Sequence, residues 1–224
     1  MSRNVALVAA LAGCMLAAGT ASAQQPPQPQ EPMRFFVTST APGHGNLGGL
    51  EGADAHCQSL AAAAGAGDRT WQAYLSTHAA DGQAAVNARD RIGEGPWHNY
   101  NGVRIAANVA DLHGDNERDR NYLWKDTALD ENGNVVNGRG DSPNVHDILT
   151  GSDSLGRAIT TGDNLTCSNW TSDAAEGVRA MVGHHDRQGG NTTSWNSAHP
   201  SRACDAANLA ATGGGGLLYC FAID

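Results

Sequence analysis

Oxygen donors and aromatic faces dominate the chemistry that this chain can offer. Asp153, Asp163, Asn164 and Asn196 fall in stretches rich in Gly, Asn and Asp. Carboxylate and amide oxygens of this kind are what calcium takes, about six to eight at a time. Trp97, Trp124, Trp170 and Trp195 stand in similar surroundings. An indole face stacks on the apolar face of a sugar ring while neighbouring Asn and Asp bond its hydroxyls. Trp195 and Asn196 are therefore the pair expected to face a ligand, with Asp163 and Asn164 adding hydrogen bonds. Asp153, Asp163 and Asn196 form the candidate metal set, and calcium is the candidate cofactor. Trp170, three residues after Cys167, is expected to pack on a disulfide instead.

Other groups invite sharper readings. Imidazole and carboxylate both ligate transition metals, which draws notice to His184-His185-Asp186. Adjacent histidines in a strand point to opposite faces, so this run reads as an exposed polar loop with one histidine hydrogen-bonded. His44, His146 and His199 are scattered and form no spacing motif. Arg139-Gly140-Asp141 is a receptor-recognition tripeptide of adhesion proteins; in so Gly- and Asp-rich a loop it reads as a solvated turn with a local ion pair. Asn164, Asn169 and Asn191 each open an N-glycosylation pattern. Gly-x-Ser-x-Gly, His-Glu-x-x-His and a phosphate-binding glycine loop are all missing, and the expectation is a binding protein without catalysis.

Position and charge bound the rest. Residues 1–23 carry Arg3, an apolar run and Ala21-Ser22-Ala23, the signature of a cleaved export leader. Residues 24–34 read as a Pro/Gln-rich spacer and 35–224 as one domain. Leu11-Ala12-Gly13-Cys14 has the look of a lipobox, so a membrane anchor is expected only if Cys14 is lipidated; otherwise the product is secreted or periplasmic. Without the leader, 13 Lys and Arg face 23 Asp and Glu. No basic cluster interrupts that acidic balance, which argues against nucleic acid and other polyanions as partners. The oligomeric state is not legible.

Four cysteines remain past the leader, Cys57, Cys167, Cys204 and Cys220. In an oxidising compartment they should pair, in any of three ways. If they nest, chain entropy assigns roughly 5 kcal/mol to the outer bridge and roughly 4 to the inner, as upper figures.

The elements that must carry these groups are partly visible. Phe35-Phe36-Val37-Thr38-Ser39 is β-prone, and Ala53, Cys57, Leu60 and Ala64 recur at helical spacing over 51–64. Trp71, Ala73 and Leu75 alternate with Gln72, Tyr74 and Ser76 as a half-exposed strand, and 84–92 suits a second helix. Asn132-Gly133 before Val135-Val136 signals a hairpin within the loop-rich 111–164 region. The run 217–223 reads as a buried closing strand that could pair with 35–39.

Three stretches carry a resemblance: residues 46–57 around Gly48-Gly49-Leu50-Glu51-Gly52, Trp71-Gln72-Ala73-Tyr74-Leu75-Ser76, and Cys167-Ser168-Asn169-Trp170-Thr171. Together they resemble the endostatin-like branch of the C-type lectin-like fold and the small secreted proteobacterial lectins built on it, over residues 35–224. That resemblance implies an α+β domain with two helices, a mixed, mostly antiparallel sheet, long loops, and nested disulfides Cys57–Cys220 and Cys167–Cys204. It also implies recognition of a glycan or glycoconjugate through a polar loop surface between Asp111 and Asn196. The alternative is an adhesion or protein-binding module that uses the same loops without sugar. The family's calcium triplet survives only as Trp195-Asn196-Ser197, with Ser197 in place of a charged ligand. Endostatin-like zinc sites use histidines near the start of the domain, where only His44 lies.

Overall fold

The computed structural model describes residues 30–80, 82–114, 121–189 and 193–224. The leader, Cys14 and most of the spacer lie outside the described residues. Among the described residues there are eight strands, all short except the last: β1 (Phe35–Val37), β2 (Trp71–Ala73), β3 (Trp97–His98), β4 (Arg104–Ala106), β5 (Asp147–Leu149), β6 (Met181–His184), β7 (His199–Pro200) and β8 (Gly214–Ala222). One long helix, α1 (Gly49–Ala63), and short helical turns at Val109–His113, Cys167–Trp170 and Ala206–Ala210 complete an α+β architecture, in place of the two helices expected.

β8 organises the sheet. Antiparallel β1 and β2 pair with its last residues, and β5 runs parallel to its first half. β6 and β7 follow β5, giving the order β1-β8-β5-β6-β7 in a mixed sheet; β3 and β4 form a separate ribbon. The expected pairing of the first and last strands is present, with Phe36 opposite Cys220.

Alternation along the strands sorts the core into two layers. Phe36, Trp71, Ala73, Leu149, Val182, Leu218 and Cys220 face α1, whose Ala53, Cys57 and Ala61 are buried against them. Phe35, Val37, Ile148, Tyr219 and Phe221 face the other way, onto Trp97, Ile105, Leu112 and Trp195. Both disulfides form, Cys57–Cys220 and Cys167–Cys204, and each joins the helix-side layer. Structural disulfides of this kind place the domain outside the reducing cytoplasm. No described helix is long and apolar enough to cross a membrane. Trp170 is buried in the same layer as both bridges, and its indole N–H donates to the Ser76 carbonyl at 2.8 Å.

Three local expectations need correction. The strand at 71–76 is not half-exposed: Tyr74 and Ser76 are as buried as Trp71, because the second layer covers their side. Residues 84–92 hold only a single 3-10 turn, Ala88–Asp90. Their donors are taken by tertiary partners, Val86 N–H by Thr77 Oγ1 (3.1 Å) and Ala88 N–H by Ser76 Oγ (2.9 Å), rather than by the carbonyl four residues back. At Asn132-Gly133 the chain does turn, with Asp130 Oδ1 accepting from the Asn132 and Asn134 amides, but only an isolated bridge, Leu129 to Val135, follows it.

Candidate metal centre

The register of three strands gathers what the sequence scatters. Asp147 lies opposite His184 across β5 and β6, and Val182 opposite His199 across β6 and β7. Val182 and His184 are two residues apart and share a face, so Asp147, His184 and His199 all project to the same side of the sheet. His146 enters from the residue before β5. Gly213 makes room for it: a Cβ there would lie 2.9 Å from the His146 ring and 2.6 Å from Asn144.

Three imidazoles converge on one carboxylate oxygen. His146 Nε2 and His184 Nε2 each stand 3.2 Å from Asp147 Oδ1, and His199 Nε2 stands 3.6 Å from it. The His146 and His184 rings stack at 4.2 Å, and the His199 ring meets His184 edge-on at 5.0 Å. His146, Asp147 and His184 are buried and each offers a ligand atom within 4.8 Å of the others. Despite these short approaches, neither oxygen of Asp147 and neither ring nitrogen of His184 has a hydrogen-bond partner. A buried carboxylate without partners is costly, by several kcal/mol in order of magnitude.

Donors grouped in this way could hold a metal ion. Four donors held at about 2.0–2.1 Å round a tetrahedral zinc stand about 3.3–3.4 Å from one another. The approaches here, 3.2, 3.2 and 3.6 Å, bracket that spacing. Nitrogen donors select zinc and its transition-metal neighbours over calcium, which takes oxygen.

Hydrogen bonds set the rings for this role. Asp186 Oδ1 can only accept, so His146 Nδ1 donates to it at 3.2 Å and leaves the Nε2 lone pair toward Asp147. His199 Nδ1 donates to the Pro200 carbonyl at 3.1 Å, which likewise frees its Nε2. Burial works to raise the Asp186 carboxyl, but the His146 ring and the Arg139 and Gln188 amides outweigh it and hold the group well below the usual carboxylate range. Arg139 N–H reaches Asp186 Oδ2 at 2.6 Å, and a Cβ on Gly138 would stand 2.6 Å from that same oxygen. His185 points the opposite way and donates to the Asn137 carbonyl at 3.1 Å; burial pushes its ring pKa down. The reading of His184-His185-Asp186 as an exposed loop is thus overturned: all three are buried.

The donors open onto a depression of about 700 Å³. Arg139, Asn144 and Thr212 contribute its polar lining, and Met181, Ala198 and Pro200 its apolar walls.

The residues singled out from the sequence lie elsewhere. Trp195 is 1% exposed and packs on Tyr74, His113 and Tyr219. Asn196 is fully buried; its amide donates to Tyr74 Oη (2.9 Å) and to the Asp153 and Ser154 carbonyls, and its oxygen accepts from Ser194. The pair is part of the core, held there because Gly183 lets β6 pass against the 195–196 backbone, and it does not present a surface. Asp153 caps its own turn, its Oδ1 accepting from Leu155 and Arg157 amides. Asp163 is exposed and Asn164 half-buried, and both line a separate depression with Arg179 and Arg202; Asn164 Oδ1 is held by Thr166. Asn196 thus meets Asp153 only through the Asp153 carbonyl, while the Asp153 carboxylate serves its own turn and Asp163 lines the separate depression. Asp141 of the Arg-Gly-Asp run pairs with Lys125 at 2.5 Å, not with Arg139. Asp147 carries almost no sequence signal, only His146-Asp147 ahead of the short apolar pair Ile148-Leu149, whereas His184 and Asp186 stand in the His-His-Asp run whose residue types suit a transition metal. No protein-family model matches the chain, and none of the curated proteins is significantly similar to it.

Proposed function

We propose that this chain is an exported recognition domain on a C-type lectin-like, endostatin-like scaffold, and that its binding site is a zinc-class metal centre. His146, Asp147, His184 and His199 hold the ion, and Asp186 orients His146. The observation that carries this reading is the buried Asp147 carboxylate, ringed by three imidazole nitrogens yet without a hydrogen bond. Nested bridges and the joined end strands support the scaffold assignment. An ion in this position has protein donors on the sheet side and the depression on the other, so a ligand can approach it from solvent. Titration calorimetry on chelator-treated protein tests the proposal. Tight binding of one zinc ion per chain with calcium inert supports it, and no zinc binding refutes it.

Glycan recognition is the second reading, and one observation favours it. Among the tryptophans in Gly-, Asn- and Asp-rich surroundings, Trp124 is half exposed, at 51%, with Tyr122 close by in sequence at 59%. The Arg187 guanidinium packs on the Trp124 ring at 5.1 Å, which steadies it as a platform. A glycan array with and without chelator tests this reading; loss of every sugar signal in both conditions rejects it.

A further inference from the structure

We propose that the depression over the metal donors takes an organic carboxylate, held at one oxygen by the ion and at the other by the Arg139 guanidinium. This inference rests on the metal reading and adds the ligand class. The charge balance points to an anion. Asp147 and the Asp186 carboxylate behind His146 together balance a divalent ion, so the Arg139 guanidinium on the same wall leaves the depression with net positive charge. The acids nearest Arg139 in the chain and in space are already engaged. Asp141 is held by Lys125 at 2.5 Å and by the Gly138 amide at 2.8 Å, and Asp186 by His146 and two backbone amides. Among the described residues no carboxylate pairs with the exposed Arg139 side chain, and its planar fork suits a carboxylate.

The position of Arg139 is tied to the metal donors. Its backbone N–H is bonded to Asp186, the residue that orients His146, so the guanidinium springs from a fixed point beside the ion. Asn144 adds a neutral donor: its Oδ1 accepts from the His146 amide, which leaves Nδ2 for a ligand oxygen. Met181, Ala198 and Pro200 form walls with nothing to offer a phosphate or a polyhydroxylated ring. Those walls call for a compact apolar body behind the carboxylate, and about 700 Å³ accommodates a molecule of a few dozen atoms. His199, whose side chain is 37% exposed and whose Nε2 stands farthest from Asp147 Oδ1, at 3.6 Å, is on the solvent side of the buried His146, Asp147 and His184 donors, so the ligand oxygen takes the position of His199 on the ion.

The test uses full-length mature protein loaded with zinc and titrated with benzoate and N-acetylphenylalanine, against benzamide and inorganic phosphate. Both carboxylates should bind at least tenfold more tightly than benzamide or phosphate, and chelation should abolish their binding. Arg139→Gln should weaken benzoate at least tenfold with zinc affinity unchanged, and Arg139→Lys should recover part of the loss. Benzamide or phosphate matching benzoate, or Arg139→Gln binding benzoate as well as the parent, overturns the carboxylate inference while the metal centre stands. Absence of zinc binding overturns both.

Discussion

Replacing His184 by alanine should uncouple the thermal stability of this domain from zinc. A ligand that binds only the folded state adds RT ln(1 + [L]/Kd), or about 4 kcal/mol at a thousand times Kd. For a domain of this size each kcal/mol moves the midpoint by about 2–4 °C, so saturating zinc should raise the parent's melting temperature by about 8–16 °C. His184 is central to the cluster: it contacts Asp147 at 3.2 Å, stacks on His146 and meets the His199 ring edge-on. Loss of such a ligand should weaken the site a hundredfold or more. At the same zinc concentration the variant then keeps at most about 1.4 kcal/mol, a rise of about 3–6 °C. Differential scanning calorimetry with and without zinc measures both shifts, each protein serving as its own reference, so a lower starting stability of the variant does not matter. An equal rise in parent and variant, or a rise with calcium and none with zinc, would refute the reasoning.

Further outcomes follow from the same geometry. Asp186→Asn should lower zinc affinity by about 10–100-fold through the orientation of His146, read by competition with a chromophoric chelator. Trp195→Ala should cost about 3–5 kcal/mol in denaturant unfolding, as expected for a core indole, whereas a ligand-facing tryptophan would leave stability unchanged. Burial raises the pKa of the Tyr74 and Tyr219 hydroxyls above the ordinary value of 10.0, against the hydrogen bond from Asn196 in the case of Tyr74. The unfolded chain therefore releases these protons first, and stability should fall as pH rises above 10, with tyrosinate absorbance from this pair appearing only on unfolding. Replacing Cys57 and Cys220 by alanine should cost up to about 5 kcal/mol, since that bridge closes a loop of 163 residues.

What could be read from the residues, and what could not, divides along the range of the interactions. The β1 and β8 runs and the α1 stripe were legible because apolar residues recur at a local period, and the cysteines because export implies pairing. The stretch 84–92 misled because its helical pattern competes with Thr77 and Ser76, which lie near only once the sheet has formed. Trp195-Asn196 looked like a ligand pair because indole and amide suit sugars; the same groups equally suit a buried aromatic cluster with one polar knot at Tyr74. The metal donors share no spacing at all. His146, His184 and His199 come from three different strand segments, and only the pairing of β5 with β6 and of β6 with β7 brings them round Asp147.

Anomalous scattering at the zinc edge, from a crystal of zinc-loaded protein, tests the central claim most directly. The account predicts one peak per chain, about 2.0–2.1 Å from the Nε2 atoms of His146, His184 and His199 and about 2.0–2.2 Å from Asp147 Oδ1. A peak elsewhere, or none at this cluster with zinc in excess, would contradict it.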